Sequence, residues 1–343
     1  MKNVVVGVDI AKTVFEVAIS DRPGHVCEER RLSRARLMPF LAQHDRATVV
    51  MEACSSAHHW ARRLGEEGHQ VVLLPPHEVR PYVTGNKTDR TDAKGILEAY
   101  RNTKIRPVPV KTVDQHSLAS LHRMRSTWLA TRTGRINTVR GLLREIGITI
   151  PMGARQVVPR VTVLLEDAES GIPDVLRPIL VEALEEIRDL ERRMKLCERS
   201  LAGLAEAIPM VARLCTVPGV GLITGTALVA FVGDVHRFPS GRHFASYLGL
   251  TPRERSSGLT RWLGGITKHG NSYLRMLLIH GGRSVLWSAT RMKSPDSLRV
   301  WGRQIAGARG HNRASVALAN KLARIVWAIW IEDRDFQVRT QAA

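Results

Sequence analysis

Acidic residues are what this sequence is short of. Its 343 residues include 32 Asp and Glu against 51 Lys and Arg, a formal net charge of +19, and a pI near 10.8. That imbalance favours a polyanionic partner, nucleic acid first of all. An anionic membrane would also suit it, but there is no Lys-rich amphipathic helix and no lipidation signal. Cysteine is scarce too. The four, Cys27, Cys54, Cys197 and Cys215, are scattered, with no zinc-ligand spacing and no disulfide framework. No signal peptide is expected, because Asp9 interrupts the N-terminal apolar run and a helix-like Ala-Lys-Thr follows. The most apolar late stretch, residues 314–331, contains Asn320, Lys321 and Arg324, so it reads as a core helix rather than a membrane span. These absences predict a cytoplasmic protein with no membrane partner. Hydrophobic content of 44% is enough for a packed core, and the length suits two or three domains.

The most strand-like stretch is residues 3–12, NVVVGVDIAK. Its β-branched run suits a strand buried on both faces. Asp9 sits at its end, where a carboxylate is costly unless paired, hydrogen-bonded or metal-bound; capping the next turn is the plainer alternative. Residues 14–20 and 26–33 follow as strands, and 35–44 as a short helix weakened by Pro39. A second buried strand, 47–53, ends near Glu52. A helix over 56–67 and a strand over 70–74 complete a mixed sheet in an α/β layer. Asp89 and Asp92 then open a helix. At i and i+3 they share a face, although an N-terminal cap with a second favourable acid also accounts for them.

Residues 113–148 have helical spacing, and 149–160 read as a loop. Leu176, Leu180, Ala183, Ile187, Leu190, Met194, Cys197, Leu201 and Leu204 recur in alternating steps of four and three, a heptad seam. Its partner is either the 113–148 helix or another protomer. From 210 to 330 there are 17 Lys and Arg against 3 Asp and Glu, so most of the excess charge lies there. At 217–224, VPGVGLIT resembles the turn of a helix-hairpin-helix module. Gly219 and Gly221 would expose backbone N–H groups to a phosphate, or simply make a tight turn. Residues 251–258 read as an irregular loop carrying Arg253, Arg255, Ser256 and Ser257, with Lys268 and Arg275 beyond it. This is either a flexible polar loop or a serine nucleophile whose phosphate partner is held by these cations.

Asp9, Glu52, Asp89 and Asp92 together resemble the acidic set of a RuvC-like domain of the RNase H superfamily. More specifically, the chain resembles the Asp-Glu-Asp-Asp transposases of the insertion-sequence one-ten family, one-one-one-one subgroup. The motifs are GVDIAK (7–12), MEACSSAHHWAR (51–62), PYVTGNKTDRTDA (81–93), VPGVGLITGTAL (217–228), FASYLGLTPRERSSG (244–258), GGITKHGNSYLR (264–275) and ALANKLARIVWA (317–328). The resemblance implies a RuvC-like catalytic domain over 1–110, a helical coiled-coil region over 111–208, and a mainly α C-terminal domain over 209–343. It implies that the four acids hold two Mg²⁺ ions, hard cations that need oxygen ligands. It also implies that Ser257, or its neighbour Ser256, attacks a DNA phosphate to give a phosphoserine intermediate. DNA of the element ends and target, a guide-type non-coding RNA and a homo-oligomer, dimer or tetramer, are the implied partners. In such an oligomer the acids of one protomer act with the serine of another.

Three other readings compete. An actin-like sugar kinase would open with GVDIAKT, but the first domain lacks a second Asp-Gly hairpin and a Gly-Gly adenosine motif. A non-catalytic DNA-binding protein would not need all four acids. A metal-dependent nuclease or junction resolvase without a covalent intermediate would not depend on Ser257.

Overall fold

The computed structural model describes residues 4–44, 46–54, 56–83 and 89–337. The chain divides into two compact units, residues 1–112 and 113–343.

The first unit is built on a five-stranded mixed sheet in the order β3-β2-β1-β4-β5. Strands β1 (Val5–Ile10), β2 (Val14–Ser20) and β3 (Glu28–Ser33) run antiparallel through short turns. Strands β4 (Thr48–Glu52) and β5 (Gln70–Leu74) lie parallel to β1. This is the mixed α/β layer expected from the strand runs. Between the strands lie helices α1 (Leu37–Leu41) and α2 (Ala57–Glu66), followed by α3 (Pro76–Val79) and α4 (Asp89–Tyr100).

Alternation along β1 and β4 sends their side chains to two different cores. Val6, Val8, Val49 and Met51 pack with Leu37, Leu41, Trp60 and Leu64 of α1 and α2. Val50 faces the other way and packs with Ile96 and Ala99 of α4. Helix α4 comes so close to β1 that a Cβ on Gly7 would lie 2.7 Å from the Ala93 carbonyl oxygen. A glycine is needed there because only a bare backbone admits the helix.

The second unit begins with two long helices, α5 (Val113–Glu145) and α7 (Arg177–Glu206). Between them, α6 (Val157–Glu166) begins inside the stretch expected to be loop. Ion pairs Arg125–Glu198, Arg132–Glu191 and Arg135–Glu186 join α5 to α7 with numbers rising on one helix as they fall on the other. The helices are therefore antiparallel, and α5 is the partner of the heptad stripe. Leu180, Leu184, Ile187, Leu190, Met194, Cys197 and Leu201 are all buried along α7, with Leu184 taking the place expected of Ala183. Each such side chain stabilises by about 1.5–3 kcal/mol, while a partly exposed ion pair of this kind contributes on the order of 1 kcal/mol. The apolar stripe therefore holds the hairpin, and the charge ladder sets its register.

Helices α8 (Pro209–Cys215), α9 (Leu222–Val232), α10 (Gly241–Tyr247), α11 (Ser272–Ala289), α12 (Ser297–Arg309) and α13 (His311–Glu332) complete the unit. Their core includes Leu118 and Ala119 of α5 and Leu201 of α7. The helical middle of the chain thus shares a core with the C-terminal helices, and no compact boundary falls near residue 208. Deep in this core, His122 of α5 is hydrogen-bonded to Tyr273 of α11 and Thr226 of α9, 3.0 Å each. Among the described residues, α13 is the one helix long and apolar enough to cross a membrane. Its apolar face, including Leu318, Leu322, Val326 and Ile329, is buried in this core.

Candidate active site

Asp9 and Glu52 come together through strand register. Parallel pairing sets Val8 beside Met51, and one residue further along lie Asp9 and Glu52. Asp9 follows Gly7 by two residues and Glu52 follows Val50 by two, so both carboxylates lie on the α4 face. Both are half-buried. The thiol of Cys54 marks their convergence. Burial pushes its pKa up first, and the negative charges of Asp9 and Glu52 push it further. The sequence reading weighed Cys54 only for zinc-ligand spacing and disulfides; its position two residues after Glu52, in MEAC, was the signal that sets it beside the acids.

Asp92 stands in the first turn of α4, one residue before the Ala93 that abuts Gly7. Asp89 opens the same helix, but its side chain lies outside the described residues. Among the described residues, no three His, Cys, Asp or Glu side chains are close enough together to hold a metal ion. The register thus sets Asp9 beside Glu52 and brings the turn bearing Asp92 against β1.

In the second unit, the stretch expected to be an irregular loop is a β-hairpin. β6 (Pro252–Ser257) pairs antiparallel with β7 (Thr260–Ile266). The turn has two residues, with Gly258 first at φ +57°, the glycine position of a tight hairpin. The loop reading failed because both strands are polar and largely exposed, so no apolar alternation announces them. Pairing of Ser256 with Arg261 and of Ser257 with Thr260 separates the two serines by face. Ser256 Oγ donates to Glu254 at 2.9 Å, and Arg261 Nε donates to the same carboxylate oxygen. Those two hydrogen bonds, Arg261 first, hold the Glu254 carboxyl below its ordinary pKa. Ser257 sits on the other face with Arg255, whose guanidinium lies 5.8 Å from the Trp262 ring centre. Among the described residues its hydroxyl has no hydrogen-bond partner.

The amino-acid sequence matches known proteins along nearly its whole length. The DEDD transposase model of IS110 elements matches residues 6–148. A model described as "Transposase IS116/IS110/IS902 family" matches residues 211–296. A probable family 20 transposase of Pseudomonas aeruginosa is 40% identical over 325 residues, covering 94% of this chain and 96% of its own. The chain belongs to the IS110 family of transposases. It is similar also to the transposase for insertion sequence element IS1111A of Coxiella burnetii, 38% identical over 96% of this chain and 90% of that one. The transposase for insertion sequence element IS1328 of Yersinia enterocolitica is 34% identical over 96% and 97%. As a transposase it cleaves and joins DNA, and the family implies dependence on a divalent metal.

The remaining sequence candidates of the transposase fall into two groups. Arg253 donates to the Thr267 carbonyl across the base of the hairpin, and Lys268 takes a left-handed backbone at φ +60° just after it. Arg275 Nη1 donates to the carbonyls of Leu248 at 3.0 Å and His269 at 2.8 Å, so it fastens the hairpin base to the end of α10. Gly219 has φ +83°, and a Cβ there would meet the Gly281 carbonyl oxygen of α11 at 2.5 Å. That contact gives Gly219 a packing role. Gly221, the residue before α9, has open space around it.

Proposed function

We propose that this transposase exchanges DNA strands through a covalent serine intermediate, with Asp9, Glu52, Asp89 and Asp92 as the metal-holding set and Ser257 as the nucleophile. The observation that carries the serine assignment is the hairpin register. Ser256 is tied to Glu254, whereas Ser257 presents an open hydroxyl one residue from an exposed turn. Carboxylate oxygens are hard donors that fit a hard divalent ion, and we assign two Mg²⁺ ions. Such ions, when bound, offset charge on the attacking and leaving oxygens. In the chemical step, an Oγ–P bond forms from Ser257 as one P–O bond of the strand breaks. The serine proton passes to a base, and the leaving sugar oxygen takes a proton from solvent. Arg253, Arg255 and Lys268 hold phosphates beside the serine. Gly221 offers the backbone N–H groups at the start of α9 to another phosphate. A structured RNA of the element selects the DNA, and the acids and serine of different protomers in a cytoplasmic homo-oligomer act together. The family resemblance and the basic C-terminal unit support these last assignments.

The test is incubation of the protein with the element's RNA and end-labelled element-end DNA plus Mg²⁺, followed by denaturing electrophoresis. Wild type and Ser256→Ala give a covalent protein–DNA band. Ser257→Ala binds DNA but gives no band. Mixing Ser257→Ala with Asp9→Ala protein partly restores it, because intact acids and an intact serine can come from different protomers. A full-strength adduct from Ser257→Ala alone would remove this residue from the mechanism. Cleavage without any adduct would favour the metal-dependent nuclease.

A further inference from the structure

A groove of about 1740 Å³ lies in the second unit between α10, α12, α13 and the base of the β6–β7 hairpin. Small-molecule pockets run to about 300–1,000 Å³, so this one is sized for a length of polymer. Its lining includes the apolar Leu250, Leu263, Ile266, Ile305, Val316 and Ile325. Its cations are Arg242, Arg309, Arg313, Lys321 and Arg324, and among the described residues no Asp or Glu lines it. Among the described residues none of these five is in an ion pair. Arg313, Ala317, Lys321, Arg324 and Ala328 recur along α13 in steps of four and three, on the face opposite its buried apolar residues. The two alanines on this wall, with Gly264 and Gly265 on the hairpin wall, leave the groove open.

We propose that this groove holds an unpaired nucleic-acid strand, with phosphates on its five cations and a base against Trp301. The inference rests on the reading of the second unit as the part that handles nucleic acid. A cationic channel with an aromatic platform is the arrangement that binds single strands. A duplex keeps its bases inside and would leave the apolar lining wet. Lys321 Nζ lies over the Trp301 ring, 4.2 Å from its centre, and a phosphate that draws the lysine aside uncovers the ring for a base. Burial and then the neighbouring Arg324 push the pKa of this lysine down, so positive charge is crowded here and a phosphate relieves it. The groove also adjoins the proposed chemistry, because its hairpin wall is the base of the element that carries Ser257. The six residues of β6 span about 20 Å, so a strand held here lies one hairpin length from the serine.

The experiment is fluorescence anisotropy of the full chain with labelled oligo(dT), oligo(U) of equal length and a blunt duplex, over a range of salt. Arg313→Ala/Arg324→Ala lowers the slope of log affinity against log salt by about 1.4 for single strands, at about 0.7 per phosphate contact. Trp301→Leu weakens single-strand binding and leaves the slope unchanged, because it removes stacking and not charge. Far-UV circular dichroism checks that both variants fold. The ranking of oligo(dT) against oligo(U) identifies the strand as DNA or RNA. If wild type binds single strands and the double variant keeps the wild-type slope, the groove inference falls while the proposed function stands. If wild type binds none of the probes, both fall. Equal losses on the duplex would also overturn it. So would binding of a poly-glutamate probe that the double variant abolishes while single-strand binding is unchanged, since the groove would then belong to an acidic protein segment.

Discussion

Replacing His122 by Gln should remove an acid-sensitive component of stability from the second unit. The Thr226 hydroxyl donates to the Leu222 carbonyl at 2.6 Å, so its oxygen accepts from His122 Nε2–H. Nδ1 then accepts from the Tyr273 hydroxyl, which burial keeps protonated. Neutral His122 is thus satisfied at both nitrogens while only 1% exposed. Burial first, and Arg125 second, push its pKa from 6.5 to about 4. The neutral form is favoured in the folded state, so stability is full above pH 6.5 and falls as pH drops toward 4. Linkage gives a loss of about 2 kcal/mol at pH 5 and about 3 kcal/mol at pH 4. For a unit of this size the pH 5 loss corresponds to roughly 4–8 °C in Tm. Thermal melts at a series of pH values between 7.5 and 4 (about the range set by the two pKa values) should show wild type falling more steeply than His122→Gln. Since every other group titrates in both proteins, the difference isolates this imidazole. Parallel decline of the two would refute the reasoning.

In the long hairpin, Ile187→Leu keeps side-chain volume and should cost less than about 1.5 kcal/mol. Ile187→Asp buries an unpaired charge against α5 and should cost at least about 3 kcal/mol; urea denaturation compares them, and equal midpoints would show the stripe to be unimportant. Gly7→Ala forces a methyl against the Ala93 carbonyl and should destabilise the first unit by about 1–3 kcal/mol. DNA cleavage should fall with it, because α4 carries Asp92; unchanged denaturation would contradict the close approach. Arg253→Ala/Arg255→Ala should flatten the salt dependence of DNA binding, and an unchanged slope would place the phosphate contacts elsewhere.

The acidic end of the first unit was partly legible: β-branched runs fix strands, so Asp9 and Glu52 could be placed at strand ends, and their grouping came from the family resemblance, while the parallel pairing of those two strands came only with the sheet register. The seam of α7 was legible from its heptads, but its partner was not. Complementary charges at Arg125, Arg132 and Arg135 against Glu186, Glu191 and Glu198 carry that information only once the two helices are opposed. The serine hairpin escaped because exposed strands need no apolar face, and Ser-Gly at residues 257–258 was its one turn signal. The cations of α13 were hidden for the opposite reason. The apolar half of that helix dominated the pattern, and Lys321 and Arg324 were read only as evidence against a membrane span.

The hairpin of α5 and α7 is in effect a ruler. Thirty-three residues of α5 extend about 50 Å at 1.5 Å each. Its rungs, Arg125–Glu198 and Arg132–Glu191, stand one heptad apart on both arms. Removing one heptad from each arm would bring the next rung into the place of the last and keep the apolar stripe facing inward. The tip would then stand about 10 Å nearer the base. Removing seven residues from one arm alone would set arginine against the wrong turn of α7. Paired deletions therefore offer a graded length series of one protein, in which reach can be varied while the folded ends stay the same.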